Sequence, residues 1–254
     1  MEYKQILVEK GDKVGKIILN TPPLNLITIV MALEVEAAVR ELNEDPEVRV
    51  IILTSAPGSK FFSAGASIED HFDPPGVLVA SYNKLTRTLI DCPKPTVAAV
   101  NGTCWAGGFE VVMCCDMMVA AEEASFSMPE IKLGGTCGPG LALLPRMMGR
   151  AKALEFLLSA DTITAKEAEQ IGFINKVAPL KELDKVVTEF VAKFTDKSGI
   201  ALQYNKQGVN SGLELELRKA IEIADLVADV AMKSEDATEG TKAFFEKRQP
   251  VWKT

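Results

Sequence analysis

Apolar and polar residues alternate from Tyr3 to Leu19 around a Gly11-Asp12 turn. That period of two predicts a β-hairpin ending in Lys16-Ile17-Ile18-Leu19-Asn20. Thr21-Pro22-Pro23 breaks the strand. From Thr28 to Leu42 the apolar positions (Val30, Leu33, Val35, Ala38, Val39, Leu42) recur at helical spacing, and Asn43-Glu44-Asp45-Pro46 closes the helix. A β-branched run, Val48 to Thr54, predicts the next strand. Ala56-Pro57-Gly58-Ser59 is a turn, Asp73-Pro74-Pro75-Gly76 a loop, and Val77 to Leu89 a helix.

Thr96 to Val100 reads as a buried strand leading through Asn101-Gly102 to a helix that starts near Ala106-Gly107-Gly108 and ends near Cys115-Asp116. Met117 to Ala120 is a further strand, Gly134 to Gly140 a glycine-rich loop, and helices follow at about 141–149, 151–159 and 165–171. Ile174 to Val177 is a short strand, and from Leu183 the pattern is helical to the end. Strands alternating with helices and then a helical tail define an α/β fold with a helical C-terminal appendage.

Composition changes this picture little, because 47% hydrophobic and 25% charged residues over 254 positions suit an ordinary globular core. Charge excludes more. The net charge of −7 and a pI near 5.0 argue against a nucleic-acid partner, since phosphate contacts need a basic face. Five cysteines without a CxxC pair read as reduced thiols and point to a cytoplasmic protein. His71 is the sole histidine, which removes His-rich metal sites and leaves little for a Ser-His-Asp triad. Met1-Glu2-Tyr3-Lys4 runs straight into the first strand with no apolar leader. The most apolar stretch, Thr96 to Ala121, contains Asn101, Glu110 and Asp116, which are costly in lipid; no membrane partner is expected.

Two glycine pairs carry candidate chemistry. Gly65-Ala66 follows an apolar strand end and Gly107-Gly108 precedes a helix, so free N–H groups there could converge on one oxygen, or the glycines could only allow tight packing. Glu110 sits in the first turn of an apolar helix. It is either a partner of the helix dipole or a carboxyl with a raised pKa. Glu130, after Pro129, is by itself an ordinary loop acid.

The run Asn101-Gly102-x-x-x-Ala106-Gly107-Gly108-Phe109-Glu110, then Cys115-Asp116, then Ala124-Ser125-Phe126-Ser127-Met128-Pro129-Glu130-Ile131-x-Leu133-Gly134, resembles the signature of the crotonase (enoyl-CoA hydratase/isomerase) superfamily. Lys60-x-Phe62-Ser63-Ala64-Gly65-Ala66 is similar to the family's first oxyanion segment, Ile163 to Gly172 to its post-loop helix, and Glu239 to Arg248 to its closing helix. The resemblance covers essentially the whole chain. It implies a spiral of ββα units over residues 1–194 and a helical trimerisation region over 195–254, with trimers usually paired into hexamers.

The implied activity is syn addition of water across the α,β double bond of an enoyl-CoA thioester, in fatty-acid or aromatic-acid degradation. By the same resemblance Glu110 and Glu130 share a water, and the N–H groups of Ala66 and Gly107 hold the thioester oxygen. Gly138 lies beside the water. Lys60, Ala64, Ser67 and Ile68 take the coenzyme A moiety, Lys60 approaching a phosphate and the Ala64–Ile68 backbone lining the adenine pocket. No metal or separate cofactor is implied, coenzyme A being part of the substrate.

The sequence departs from the family at Ser67, where many members carry Asp. It departs also at Trp105-Ala106, in place of a Leu/Phe-Gly pair, and at Cys137-Gly138-Pro139-Gly140-Leu141. Phe62 to His71 also resembles cyclic dienoyl-CoA hydratases of anaerobic benzoyl-CoA breakdown. Trp105 and His71 are candidates for the acyl pocket, against the alternatives of plain packing for Trp105 and a solvated loop for His71. Tyr82 could reach the same pocket or belong to the core. The rival functions are a double-bond isomerase and a non-catalytic acyl-CoA or RNA-binding scaffold.

Overall fold

The computed structural model describes residues 2–72 and 74–253; Asp73, in the predicted 73–76 loop, lies outside them with Met1 and Thr254. Strands β1 (Ile6–Gly11) and β2 (Val14–Leu19) form the predicted hairpin, followed by helix α1 (Ile29–Glu44) and strand β3 (Val50–Ser55). Next come β4 (Phe61–Ser63), α2 (Ile68–Phe72), α3 (Val77–Asp91), β5 (Thr96–Val100), β6 (Thr103–Trp105), α4 (Gly107–Met113), β7 (Met117–Ala121) and β8 (Ser125–Ser127). A 3-10 turn, Pro129–Leu133, leads to α5 (Gly140–Met148), α6 (Arg150–Ser159), β9 (Thr162–Thr164), α7 (Ala165–Ile171) and β10 (Lys176–Ala178). The chain ends in α8 (Leu183–Thr195), α9 (Gly199–Leu213), α10 (Leu217–Met232) and α11 (Glu235–Glu246).

These strands build two sheets. The larger has the order β1-β2-β3-β5-β7-β10, antiparallel only at the hairpin. The smaller has the order β4-β6-β8-β9, parallel through β8. The chain visits the large sheet, then the small sheet, then a helix, three times in succession: β3-β4-α2/α3, β5-β6-α4, and β7-β8 with its 3-10 turn. This is the spiral of ββα units that the resemblance implies.

The apolar runs of the central strands follow from burial on both faces. Along β3, Ile51 and Leu53 enter the main core with α1 and α3. Val50 and Ile52 point the other way, to a second core closed by Leu183, Val187 and Val191 of α8. A cluster of Phe109, Phe126, Phe156 and Phe173 joins α4 to β8, α6 and the segment after α7. All five cysteines are buried free thiols.

Several local expectations shift. The strand expected at 174–177 forms at Lys176–Ala178, α4 stops at Met113 before Cys115, and Glu130 sits in a 3-10 turn where a loop was expected. His71 lies in the short helix α2, still exposed. Of the small sheet, the strand end before Gly65 is legible in the sequence, whereas β6, β8 and β9 are not separately legible. No helix among the described residues is long and apolar enough to cross a membrane.

Candidate active site

The site collects residues from the same point in successive turns of the spiral. In the small sheet Ser63 pairs with Cys104, Cys104 with Phe126, and Trp105 with Ser127, so the C-terminal ends of β4, β6 and β8 lie side by side. Ala66 follows the first, Gly107 the second and Glu130 the third. The Ala106 N–H donates to the Ser127 carbonyl at 2.9 Å and pins the second exit to the third.

Ala66 makes a parallel bridge with Ile27, in which the Ile27 N–H donates to Gly65 O and the Ser67 N–H to Ile27 O. A parallel bridge uses the residues flanking Ala66, so Ala66's own N–H turns away from Ile27. Gly107 is the first residue of α4, and its N–H has no intrahelical acceptor. A Cβ added at Gly107 would stand 3.1 Å from Ala66 N and 3.4 Å from the Tyr82 hydroxyl. A side chain there would have to push its neighbours aside by a few tenths of an ångström, and the close approach of the two exits sets the Ala66 and Gly107 N–H groups near each other.

The turn into α4 is strained. Ala106 adopts φ 50° and ψ −133°, a region ordinarily held by glycine, at a cost of about 1–3 kcal/mol. This is one of the positions where the chain departs from the family's glycine.

Glu110 projects from the first turn of α4 and is buried. Its Oε1 accepts from the Gly140 N–H at 2.8 Å, at the start of α5, and its Oε2 lies 3.2 Å from the Tyr82 hydroxyl. Burial pushes its pKa up, opposed by the Gly140 and Gly138 amides and by Tyr82. Glu130 is pushed further, to about 7, chiefly by burial and also by the charge of Glu110, against the pull of its own backbone N–H. Its Oε2 is buried and has no hydrogen-bond partner. One carboxylate is thus tied down by donors at a helix start, while its neighbour holds a proton near neutrality with a free oxygen. Gly138, in the loop before α5, is exposed, and a Cβ there would lie 3.8 Å from Glu110 Oε1.

The other predicted residues lie around this centre. Lys60 is exposed just before β4, and its carbonyl accepts from the Thr103 N–H at 3.1 Å. Ala64 donates to Leu24 O at 2.9 Å; Ser67 is buried, its hydroxyl accepting from the Asp70 N–H at 3.2 Å to start α2; Ile68 is exposed. Asp70 in turn accepts from the Ile29 N–H at 2.8 Å and joins α2 to α1. Trp105 packs edge-on against Phe61 with ring centroids 6.2 Å apart, and its buried indole N–H has no partner. His71 stacks edge-on with Phe72 on the exposed side of α2. A groove of about 660 Å³ between α1 and α3 and another of about 290 Å³ beside β1 are lined by neither Trp105 nor His71.

Tyr82, one of two readings in the sequence, is both a core residue and a neighbour of Glu110. Gly140, which anchors Glu110, was legible only as part of a glycine-rich loop.

The fold and the arrangement of the site are those of a crotonase-type protein, and comparison with known proteins agrees. The profile of the enoyl-CoA hydratase/isomerase family matches residues 9–254, and the chain belongs to that family. It is 34% identical to a crotonyl-CoA hydratase of Syntrophomonas wolfei, with 98% of each chain covered. It is 36% identical to a probable enoyl-CoA hydratase of Mycobacterium tuberculosis, again with 98% of each covered. Among solved structures, an enoyl-CoA hydratase from Bacillus anthracis superposes with a TM-score of 0.94 at 29% identity, covering 98% of this chain and 99% of that one.

Proposed function

We propose that the protein is an enoyl-CoA hydratase, a carbon–oxygen lyase that adds water reversibly across the α,β double bond of a 2-enoyl-CoA thioester. The observation that carries this reading is the pair Glu110 and Glu130. Glu110 is buried and anchored by donors, and the half-buried Glu130 keeps a buried, unpartnered oxygen and a pKa near neutrality.

Hydration of an enoyl thioester needs a base to take a proton from water as its oxygen attacks Cβ. It needs an acid to deliver a proton to Cα, and a positive dipole to hold the enolate oxygen formed between these events. Glu110, held by N–H donors, suits the base. Glu130 suits the acid, and the Ala66 and Gly107 N–H groups suit the enolate oxygen, each donor being worth ~3–4 kcal/mol in the transition state. Atoms balance without another reactant: the water supplies both the hydroxyl at Cβ and, through the glutamates, the hydrogen at Cα. In this reading Gly138 borders the water, Lys60 and the Ala64–Ile68 backbone hold coenzyme A, Trp105 and His71 border the acyl group, and no metal or redox step is needed.

The finer readings are a cyclic dienoyl-CoA substrate, supported by the segment Phe62 to His71, and assembly as a homotrimer or a hexamer. The assembly is supported by α10, which has no buried residue and exposes Leu217, Ile221, Leu226 and Val230. A panel of linear, branched and cyclic enoyl-CoA esters tests the function. Loss of the conjugated-enoyl absorbance with formation of the 3-hydroxyacyl-CoA is expected. Conversion of a 3-enoyl-CoA to the 2-enoyl isomer with no hydration of either would establish a double-bond isomerase instead.

A further inference from the structure

The Tyr82 hydroxyl has one proton and faces two acceptors. It lies 2.7 Å from the carbonyl oxygen of Gly107 and 3.2 Å from Oε2 of Glu110, in a buried setting. Gly107 is also the residue whose N–H stands next to Ala66 N, and a Cβ on it would meet both that nitrogen and the Tyr82 oxygen. The phenol, on α3, therefore touches the peptide segment that opens α4 and the carboxylate that projects from it. These are the two parts of the site whose relative placement sets where the substrate carbonyl sits with respect to the attacking water.

We propose that Tyr82 is a positioning residue of the hydration reaction: its single O–H alternates between Gly107 O and Glu110 Oε2 as Glu110 gains and loses its proton. The proposal rests on the hydratase reading of Glu110 and Glu130. When Glu110 is ionised, the phenol donates to Oε2, and together with the Gly140 N–H on Oε1 it fixes the plane of the base. When Glu110 takes the proton from water, the carboxylic acid becomes the donor and the phenol oxygen the acceptor, and the phenol proton turns to Gly107 O at its shorter distance. No bond to the phenol is made or broken in either state, so each oxygen keeps its own valence and only hydrogen-bond directions reverse. A tyrosine suits this better than a serine or a backbone N–H, since a hydroxyl both donates and accepts at one atom.

The groups that face this contact support the assignment. They are Glu130 from the 3-10 turn, Cys114 just after α4 and Cys137 in the loop before α5, together with Glu110 itself. None is a cation. Burial pushes both thiols and the phenol well up, so they stay neutral. The neutral donors at Glu110 are thus the Gly138 and Gly140 amides and Tyr82, and only Tyr82 can reverse direction.

The test compares the wild-type protein with Tyr82→Phe and with 3-fluorotyrosine installed at position 82 alone. In Tyr82→Phe, kcat for crotonyl-CoA hydration should fall about tenfold or more with KM changed less than about twofold. The acid limb of the pH profile should rise by about half a unit or more, because an ionised carboxylate has lost a donor. Fluorotyrosine, a stronger donor that keeps the ring and hydroxyl, should move that limb the opposite way, and it serves as the readout if Tyr82→Phe folds poorly. An acid limb that stays in place in both proteins, or a loss confined to KM, overturns the proposal. Infrared difference titration of the Glu110 carboxyl, assigned with Glu110→Gln, separates the two levels of inference. A Glu110 titration that shifts on Tyr82→Phe in a protein without hydration activity would leave the Tyr82 contact standing and remove the hydratase reading. An unshifted titration in an active hydratase would do the reverse.

Discussion

Burial raises the pKa of both site carboxyls, but Glu110 also meets the Gly140 amide at a helix start, and on the proposed mechanism that difference divides their work. In the proposed reaction the pair works with one proton on it, so hydration should decline as pH rises past about 7, where the last proton leaves. The pKa of Glu130 also has a stability consequence. Between its ordinary value of 4.5 and about 7 the folded state binds more protons than the unfolded state, so stability falls as pH rises through that window and stays low above it. Glu130→Gln should therefore abolish turnover yet stabilise the protein by ~1 kcal/mol at pH 8, a figure discounted for partial solvent screening, with no gain at pH 4. Urea unfolding at the two pH values checks this; equal midpoint changes at both would contradict it. Ala106 is a second residue with a readable cost. Ala106→Gly should gain about 1 kcal/mol, seen as a rise of roughly 2–4 °C in Tm, by relieving a conformation that a side chain rarely adopts. An unchanged or lower Tm would show that the methyl contributes packing that offsets its strain.

At the scale of elements, the proposed site depends on three strand exits being held in register by strands only three residues long. Gly107→Ala tests that geometry. A methyl group there would press on Ala66 N, so kcat should fall by about 10²–10³, the order expected for losing an oxyanion donor, while the fold persists. Retention of full activity would place the oxyanion elsewhere. The same shortness explains what could be read from the chain. Long elements announce themselves: α1 and α3 appear within a residue or two of where periodicity puts them, the hairpin begins three residues later than expected at Ile6, and β3, β5 and β7 stand out as apolar runs buried on both faces. Three residues cannot display a period, so β6, β8 and β9 left no separable signal. Glu130 consequently looked like a loop acid until the order of motifs set it beside Glu110. Tyr82 shows the complementary limit. Helical spacing could place it on the inner face of α3 but could not say that its hydroxyl ends at Gly107 and Glu110, since that contact depends on how α3 lies across the start of α4.

Over the whole molecule, α8 packs its apolar face on the large sheet, whereas polar contacts help tie the segments after it to the core. Lys206 of α9 reaches Asp116 at 2.7 Å and the Lys94 carbonyl at 3.2 Å, while Asp116 also accepts from the Thr96 N–H. Arg49 binds the Thr195 and Lys197 carbonyls, and the Trp252 indole N–H donates to Asp196 O. Lys206→Met removes the cation from an Asp116 carboxylate that is only partly shielded from solvent. It should cost about 2 kcal/mol and loosen α9 before the core unfolds, which amide exchange of α9 against β5 would reveal. Exchange that changes equally in both elements would mean that α9 and the core unfold as one unit. The apolar face of α10 belongs to the same scale, and sedimentation of the intact chain is expected to give a trimer or a hexamer.

The central claim is that Glu110 and Glu130 together add water. Its most direct test is crotonyl-CoA turnover in H₂¹⁸O by the wild-type protein, Glu110→Gln and Glu130→Gln, with ligand binding measured in parallel. The account predicts ¹⁸O at Cβ of the product with the wild type and loss of turnover by about 10²-fold or more in each variant with binding retained. Full turnover in either variant, or isomerisation without ¹⁸O uptake in the wild type, would contradict it.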